Sequence, residues 1–125
     1  MKRNSYHLTP TAESHFWQAL ADTKRMWGQR QAEKYRLQLL EGFQAIADNH
    51  RGFRFVHREA LAEGTDFELH LVAQRYVVFQ PFEKDSVIIA AMFHERMDIP
   101  GRLRELQQMS AQEIALLKQQ IARLQ

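Results

Sequence analysis

The spacing of apolar positions changes along the chain, and each change marks an element. From Ser5 to Thr9, Tyr6 and Leu8 alternate with His7, which predicts a short first strand. Thr9-Pro10 then forms a helix start, with Thr9 as N-cap, Pro10 at the first helical position and Glu13 in the first turn. Phe16, Leu20, Thr23 and Trp27 recur at helical spacing, Trp17 widens the stripe, and Gly28 stops the helix. A second helix begins at once, with Ala32, Tyr35, Leu39, Phe43 and Ile46 on one face and Lys34, Gln38, Glu41 and Gln44 on the other. Two amphipathic helices joined by so short a turn predict an antiparallel hairpin. Trp17 and Trp27 are expected to bury in its packing, because aromatic rings supply the largest apolar areas a small domain has.

Past the loop-like Asp48-Asn-His-Arg-Gly52 the period drops from 3.6 to 2. Phe53 and Phe55, extending to His57, predict one strand, and Phe67, Leu69 and Leu71 predict another after the turn at Glu63-Gly64-Thr65-Asp66. Arg75 to Phe82 is a further extended run, with Pro81 pointing to its end or to an edge position. Glu83-Lys84-Asp85 turns into the most apolar run of the chain, Ser86 to Phe93, which predicts a buried central strand. That strand ends abruptly in His94-Glu95-Arg96-Met97-Asp98, so three ionisable side chains arrive together at one edge of the sheet.

After Pro100-Gly101 the pattern predicts a short helical piece over 102–109, and then a last helix opened by Ser110 and Glu113 as a capping box. Its apolar stripe is Ile114, Leu117, Ile121 and Leu124. An isolated helix of about 15 residues is marginal in water, so this stripe is expected to bury against the domain itself or, as second choice, against a second copy. The fold class that follows is α+β, in the order β-α-α-β-β-β: an N-terminal strand and an antiparallel helical hairpin on a small antiparallel sheet, plus an extra C-terminal helix. Residues 1–100 form the domain and 101–125 an extension that packs on it or mediates oligomerisation.

Composition narrows the functional classes. The 125 residues are 45% hydrophobic and 26% charged, as expected for one globular domain. There is no cysteine, which excludes disulfide frameworks, thiolate metal sites and cysteine nucleophiles. No signal peptide and no membrane-length apolar run is visible, so a cytoplasmic setting is expected, with no membrane partner. A net charge of +2 permits an anionic partner without requiring one. No cofactor and no metal site is expected.

The order of these features resembles the ParE branch of the RelE/ParE toxin superfamily. The resemblance rests on Tyr6-His-Leu-Thr-Pro-Thr-Ala-Glu13, Trp27-Gly28-Gln-Arg-Gln-Ala32, Tyr35 and His94-Glu-Arg-Met-Asp98, which stand in the family's order over roughly residues 4 to 100. It implies the toxin of a bacterial type II toxin–antitoxin pair, neutralised by an antitoxin whose disordered tail folds onto it. ParE-like members act on DNA gyrase, whereas the RelE-like branch cuts messenger RNA on the ribosome. The first reading is a gyrase-binding toxin with no catalytic residues of its own; the alternative is a ribosome-dependent endoribonuclease, and a third is a non-toxic interaction module on the same fold. Direct nucleic-acid binding is expected only under the ribosome-dependent reading.

Cleaving RNA through its 2′-hydroxyl needs a base, an acid and a cation at the phosphoryl group. Arg75, which matches the arginine opening the penultimate strand in both branches, and His94 and Arg96 are the candidates for these roles. Glu68 and His70 are placed to share a face nearby. Against this, the dense lysine and arginine set of a ribosome-dependent cleaver is thin in these strands, and a strand-end ion pair of Arg96 with Glu95, Asp98 or a carboxylate of the helical hairpin is the simpler expectation. Arg25, Arg30 and Lys34, with Arg75 and Arg96, are the candidate contacts to an antitoxin or target.

Overall fold

The computed structural model describes residues 4–49, 64–83 and 85–124. Its elements are β1 (Ser5–Leu8), α1 (Pro10–Trp27), α2 (Gln29–Asn49), β2 (Glu68–Val72), β3 (Arg75–Phe82), β4 (Ser86–His94) and α3 (Ile99–Leu124). The α+β class and the element order are those the periodicity predicts. The expected strand at Phe53 to His57 lies outside the described residues.

The strands form one sheet in the order β1-β4-β3-β2. β2–β3 and β3–β4 are antiparallel neighbours, but β1 joins β4 in parallel, so the sheet is mixed rather than wholly antiparallel. The helical hairpin is the crossover that a parallel pairing needs. It also makes β4 a central strand, and eight of its nine residues are buried.

One face of the sheet carries the hairpin: Phe16, Leu20, Leu39, Phe43 and Ile46 meet Val77, Phe79, Val87, Ile89 and Met92. The other face carries α3, whose Ile99, Leu103, Leu106, Ile114 and Ile121 meet Leu69, Val78, Ile88, Ala90, Ala91 and Phe93. Both faces of β4 are therefore apolar, which explains its unbroken hydrophobic run. Leu117 is partly buried against the second core, and Leu124 is exposed at the end of the helix.

Several local expectations give way to tertiary structure. Residues 99–124 are one continuous helix, not a short piece followed by a second helix. Ser110 sits inside it with its hydroxyl donating to the Leu106 carbonyl (2.6 Å), a bond that satisfies the hydroxyl without ending the helix. The Glu113 side chain serves a different helix: its carboxylate accepts from the Thr11 amide (2.9 Å) and hydroxyl (2.7 Å) at the start of α1. The N-cap of α3 is Asp98, whose Oδ1 accepts from the Gly101 amide (3.3 Å). Arg96 makes no ion pair among the described residues and is exposed, so the strand end is closed by helix capping and not by the expected ion pair. Trp17 and Trp27 are 63% and 70% exposed. The stripe that turns inward is set by Ala12, Phe16, Ala19 and Leu20, and it fades before α1 reaches Trp27.

Two backbone details fix the hairpin against the sheet. Gly28 alone separates the helices at φ 91° and ψ 172°, a conformation essentially restricted to glycine. Gly42 faces β2, where a methyl group in place of its hydrogen would stand 2.5 Å from a Val72 methyl.

Candidate functional site

A cleft of about 650 Å³ lies at the turn end of the hairpin, where Gly28 joins its two helices. α1 supplies Asp22, Thr23, Met26 and Trp27, α2 supplies Gln31, Tyr35 and Gln38, and the sheet supplies Ala73, Gln74, Arg75 and His94. Ala73 and Gln74 form the two-residue turn between β2 and β3, both at positive φ (49° and 69°). That geometry suits the twist of a hairpin but is costly for residues other than glycine and asparagine. The turn is held from outside: the Glu95 amide donates to the Gln74 carbonyl (3.0 Å).

Arg75 and His94 are directly opposite each other across β3 and β4. They face the hairpin side because of a bulge. Val78 pairs with Ala91 and Phe79 with Ile89, so Ala90 is an extra residue on β4. Before it, Val87 and Ile89 face the hairpin; after it, Met92 does, and His94 follows at the same phase. With strict alternation His94 would point at the α3 face. The bulge therefore delivers the imidazole to the cleft.

Arg75 is oriented by Tyr35, whose hydroxyl accepts from Nε at 2.7 Å and in turn points its proton toward the Ala73 carbonyl (3.4 Å). Among the described residues Arg75 forms no salt bridge, so its terminal nitrogens are available to an external acceptor. The Nδ1 of His94 accepts from the Arg96 amide (3.2 Å), which places the proton of the neutral ring on Nε2. Arg96 thus touches the site through its backbone, and its guanidinium is not part of the cleft lining. Glu68 and His70 do share the hairpin-facing side of β2, alternating with Leu69, but neither lines the cleft. Arg25 stands on the rim in an exposed pair with Asp22 (3.1 Å). Arg30 and Lys34 are exposed on the first turns of α2.

Sequence reasoning missed three parts of this region. Tyr35 reads as a member of the apolar stripe of α2, and only its depth decides that its hydroxyl meets Arg75. The exposure of Met26 and Trp27 is equally invisible in a helical stripe. The third is His15. β1 is four residues long and β4 nine, so the outer edge of β4 outruns its neighbour. α1 completes it: the Thr9 hydroxyl donates to the Ala90 carbonyl (3.1 Å), and His15 Nδ1 accepts from the Met92 amide (3.2 Å).

Burial lowers the pKa of His15, the Arg75 charge lowers it further, and Glu113 opposes with a smaller raising effect. Burial also lowers His7 and His70. Each favours the neutral ring in the folded state, so the unfolded chain binds more protons below about 6.5. Stability should be complete above that pH and fall as pH descends toward the lowered values. Urea midpoints measured at pH 7.5 and 5.5 should show the drop. His15→Asn keeps an acceptor near the Nδ1 position and cannot titrate, so it should shrink the difference; an unchanged difference would remove His15 from the account.

Among the described residues no three histidine, aspartate or glutamate side chains are grouped to hold a metal ion. Among them, too, no helix is long and apolar enough to cross a membrane.

The chain is thus an α+β protein with a helical hairpin packed on a mixed β1-β4-β3-β2 sheet and the arginine of β3 opposite the histidine of β4. A solved chain of the chromosomal ParDE TA system from P. aeruginosa has this fold, with a TM-score of 0.61 over 73% of this chain and 95% of that one, at 12% identity. In sequence the chain is similar to Toxin ParE of Escherichia coli, with 27% identity over 101 residues, covering 81% of this chain and 94% of that protein. In sequence the likeness is thus to a ParE toxin, and in fold to a chain of a ParDE system. No protein-family model matches it. Both relatives are covered almost end to end, whereas each match leaves part of this chain uncovered.

Proposed function

We propose that the protein is the toxin of a type II toxin–antitoxin pair, that a cognate antitoxin neutralises it, and that it acts on DNA gyrase by binding. The observation that carries this is the likeness to Toxin ParE, which extends over 81% of the chain and 94% of that protein. A bacterial cytoplasmic setting goes with that target. Residues 1–100 form the toxin domain in this reading, and 101–125 are the extension.

The ribosome-dependent nuclease remains as a second reading on one specific observation: Arg75 and His94 converge on one cleft, which supplies a fixed cation and a group able to exchange a proton. Arg96, outside the cleft lining, is not part of it.

Controlled expression in a bacterial host separates these. Filamentation with a DNA-damage response and gyrase-dependent breaks is expected, with growth restored by co-expressing the product of a short neighbouring reading frame. Rapid translation arrest with cleaved transcripts would replace gyrase by the ribosome as the target. Normal growth in cells that hold verified folded protein would overturn both and leave an interaction module.

A further inference from the structure

We infer that the cleft at the turn end of the hairpin is a peptide site, and that it takes an extended partner segment combining a carboxylate with a neighbouring aromatic or branched apolar side chain. The inference rests on the reading that this protein has a protein inhibitor, and it names the chemistry of the inhibitor segment that reaches the cleft.

Charge is the first argument. Arg75 is held by Tyr35 at 2.7 Å, with no acidic side chain paired to it among the described residues. The single carboxylate in the lining, Asp22, is engaged by Arg25 (3.1 Å) and by the Gln18 amide (2.9 Å). Lys24, Arg30 and Lys34, on the same two helices but outside the lining, are exposed and without ion pairs among the described residues. An oriented guanidinium in the lining of a cleft, with no acid paired to it, favours a carboxylate that can accept two parallel N–H bonds.

The walls argue for a peptide in particular. Gln31, Gln38 and Gln74 line the cleft between the basic floor and the mouth. A primary amide both donates and accepts, which matches the alternating N–H and C=O of an extended backbone. At the mouth stand Met26 and Trp27, 65% and 70% exposed. A large ring left in water beside a flexible thioether is the kind of anchor on which binding energy concentrates. A nucleic acid requires cations along a track, whereas the described lining carries one arginine, Arg75, and no lysine.

The test begins with a phage-displayed library of random dodecapeptides selected on the purified full chain. Enriched sequences should carry Asp or Glu near an aromatic or branched apolar residue. Binding of the enriched peptides, measured by fluorescence polarisation, should weaken about tenfold or more with Arg75→Glu, and similarly with Trp27→Ala, as hot-spot losses do. Trp27 is exposed, so its replacement keeps the test valid if Arg75→Glu proves unstable, and far-UV circular dichroism checks both. No enrichment, enrichment of basic peptides, or binding indifferent to both substitutions would overturn the inference. So would tighter Arg75-dependent binding of a single-stranded RNA dodecamer, which would make the site a nucleic-acid cleft. The functional reading is judged separately: rescue of growth by the neighbouring antitoxin that is equal for wild type and Trp27→Ala would sink the cleft while leaving the toxin–antitoxin assignment intact.

Discussion

Phe43→Ala should lower the stability of the folded chain by about 3–5 kcal/mol, the range for removing a buried phenylalanine. Phe43 is fully buried on α2 and is the hub of the hairpin-side core. Its ring stands 5.6 Å from Tyr6 in an edge-on arrangement and 6.0 Å from Phe16. Those two contacts tie together β1, α1 and α2, so the void cannot close by moving one element alone. Domains of this size are stable by only about 5–15 kcal/mol, so the variant should sit near its unfolding threshold at 37 °C. Chemical denaturation followed by far-UV circular dichroism is the suitable measurement. Tryptophan fluorescence is a poor choice, because Trp17 and Trp27 are already largely in water in the folded state. A midpoint shift equivalent to less than about 1 kcal/mol would mean that the surrounding rings collapse into the void more completely than is usual.

The second large effect concerns α3. Ile114 and Ile121 are buried against the sheet face opposite the hairpin. Replacing both by Asp removes about 1.5–3 kcal/mol of burial from each site, before counting the cost of placing carboxylates there. The pair should therefore destabilise the chain by about 3–6 kcal/mol. The effect should also reach α1, since Glu113 satisfies the Thr11 amide and hydroxyl at that helix's first turn. The solution mass decides what the stripe is for. Lower stability at unchanged mass assigns the stripe to the chain's own sheet. A halved mass with little loss of secondary structure would assign it to pairing between two copies, the role considered second for Ile114, Leu117, Ile121 and Leu124.

Much of the architecture can be read along the chain because it depends on local physics. Thr9 caps α1, with its hydroxyl accepting from the Ala12 amide (3.1 Å), and Pro10 follows at the first helical position. Apolar spacing places Leu39, Phe43 and Ile46 on one side of α2, and that is the side that buries. The unbroken run from Ser86 announces a strand covered on both faces, and β4 is one. In the candidate site, Arg75 and His94 stand out as ionisable residues at strand ends, and the strand pairing sets them opposite each other.

What could not be read depended on contacts between residues far apart in sequence. Ser110 and Glu113 have the spacing of a capping box, but Glu113 finds the unsatisfied donors of α1, 102 residues away, and α3 runs on through both. Trp17 and Trp27 lie near an apolar stripe, yet the side of α1 that buries is the one carrying Ala12, Phe16, Ala19 and Leu20, and both rings stay exposed. Parallel pairing of β1 with β4 follows from the crossover through the hairpin, which periodicity within each element does not encode. The bulge at Ala90 matters most for the site. Alternation assigns a side chain to a face only while the count of two holds, and one inserted residue reverses every assignment after it. By itself, then, the sequence determined the elements, their amphipathic faces and the two ionisable residues of β3 and β4. Tertiary structure decided which face His94 meets, that Tyr35 holds Arg75, and that the cleft opens between the hairpin and the β2–β3 turn, because each depends on register and depth set by distant partners.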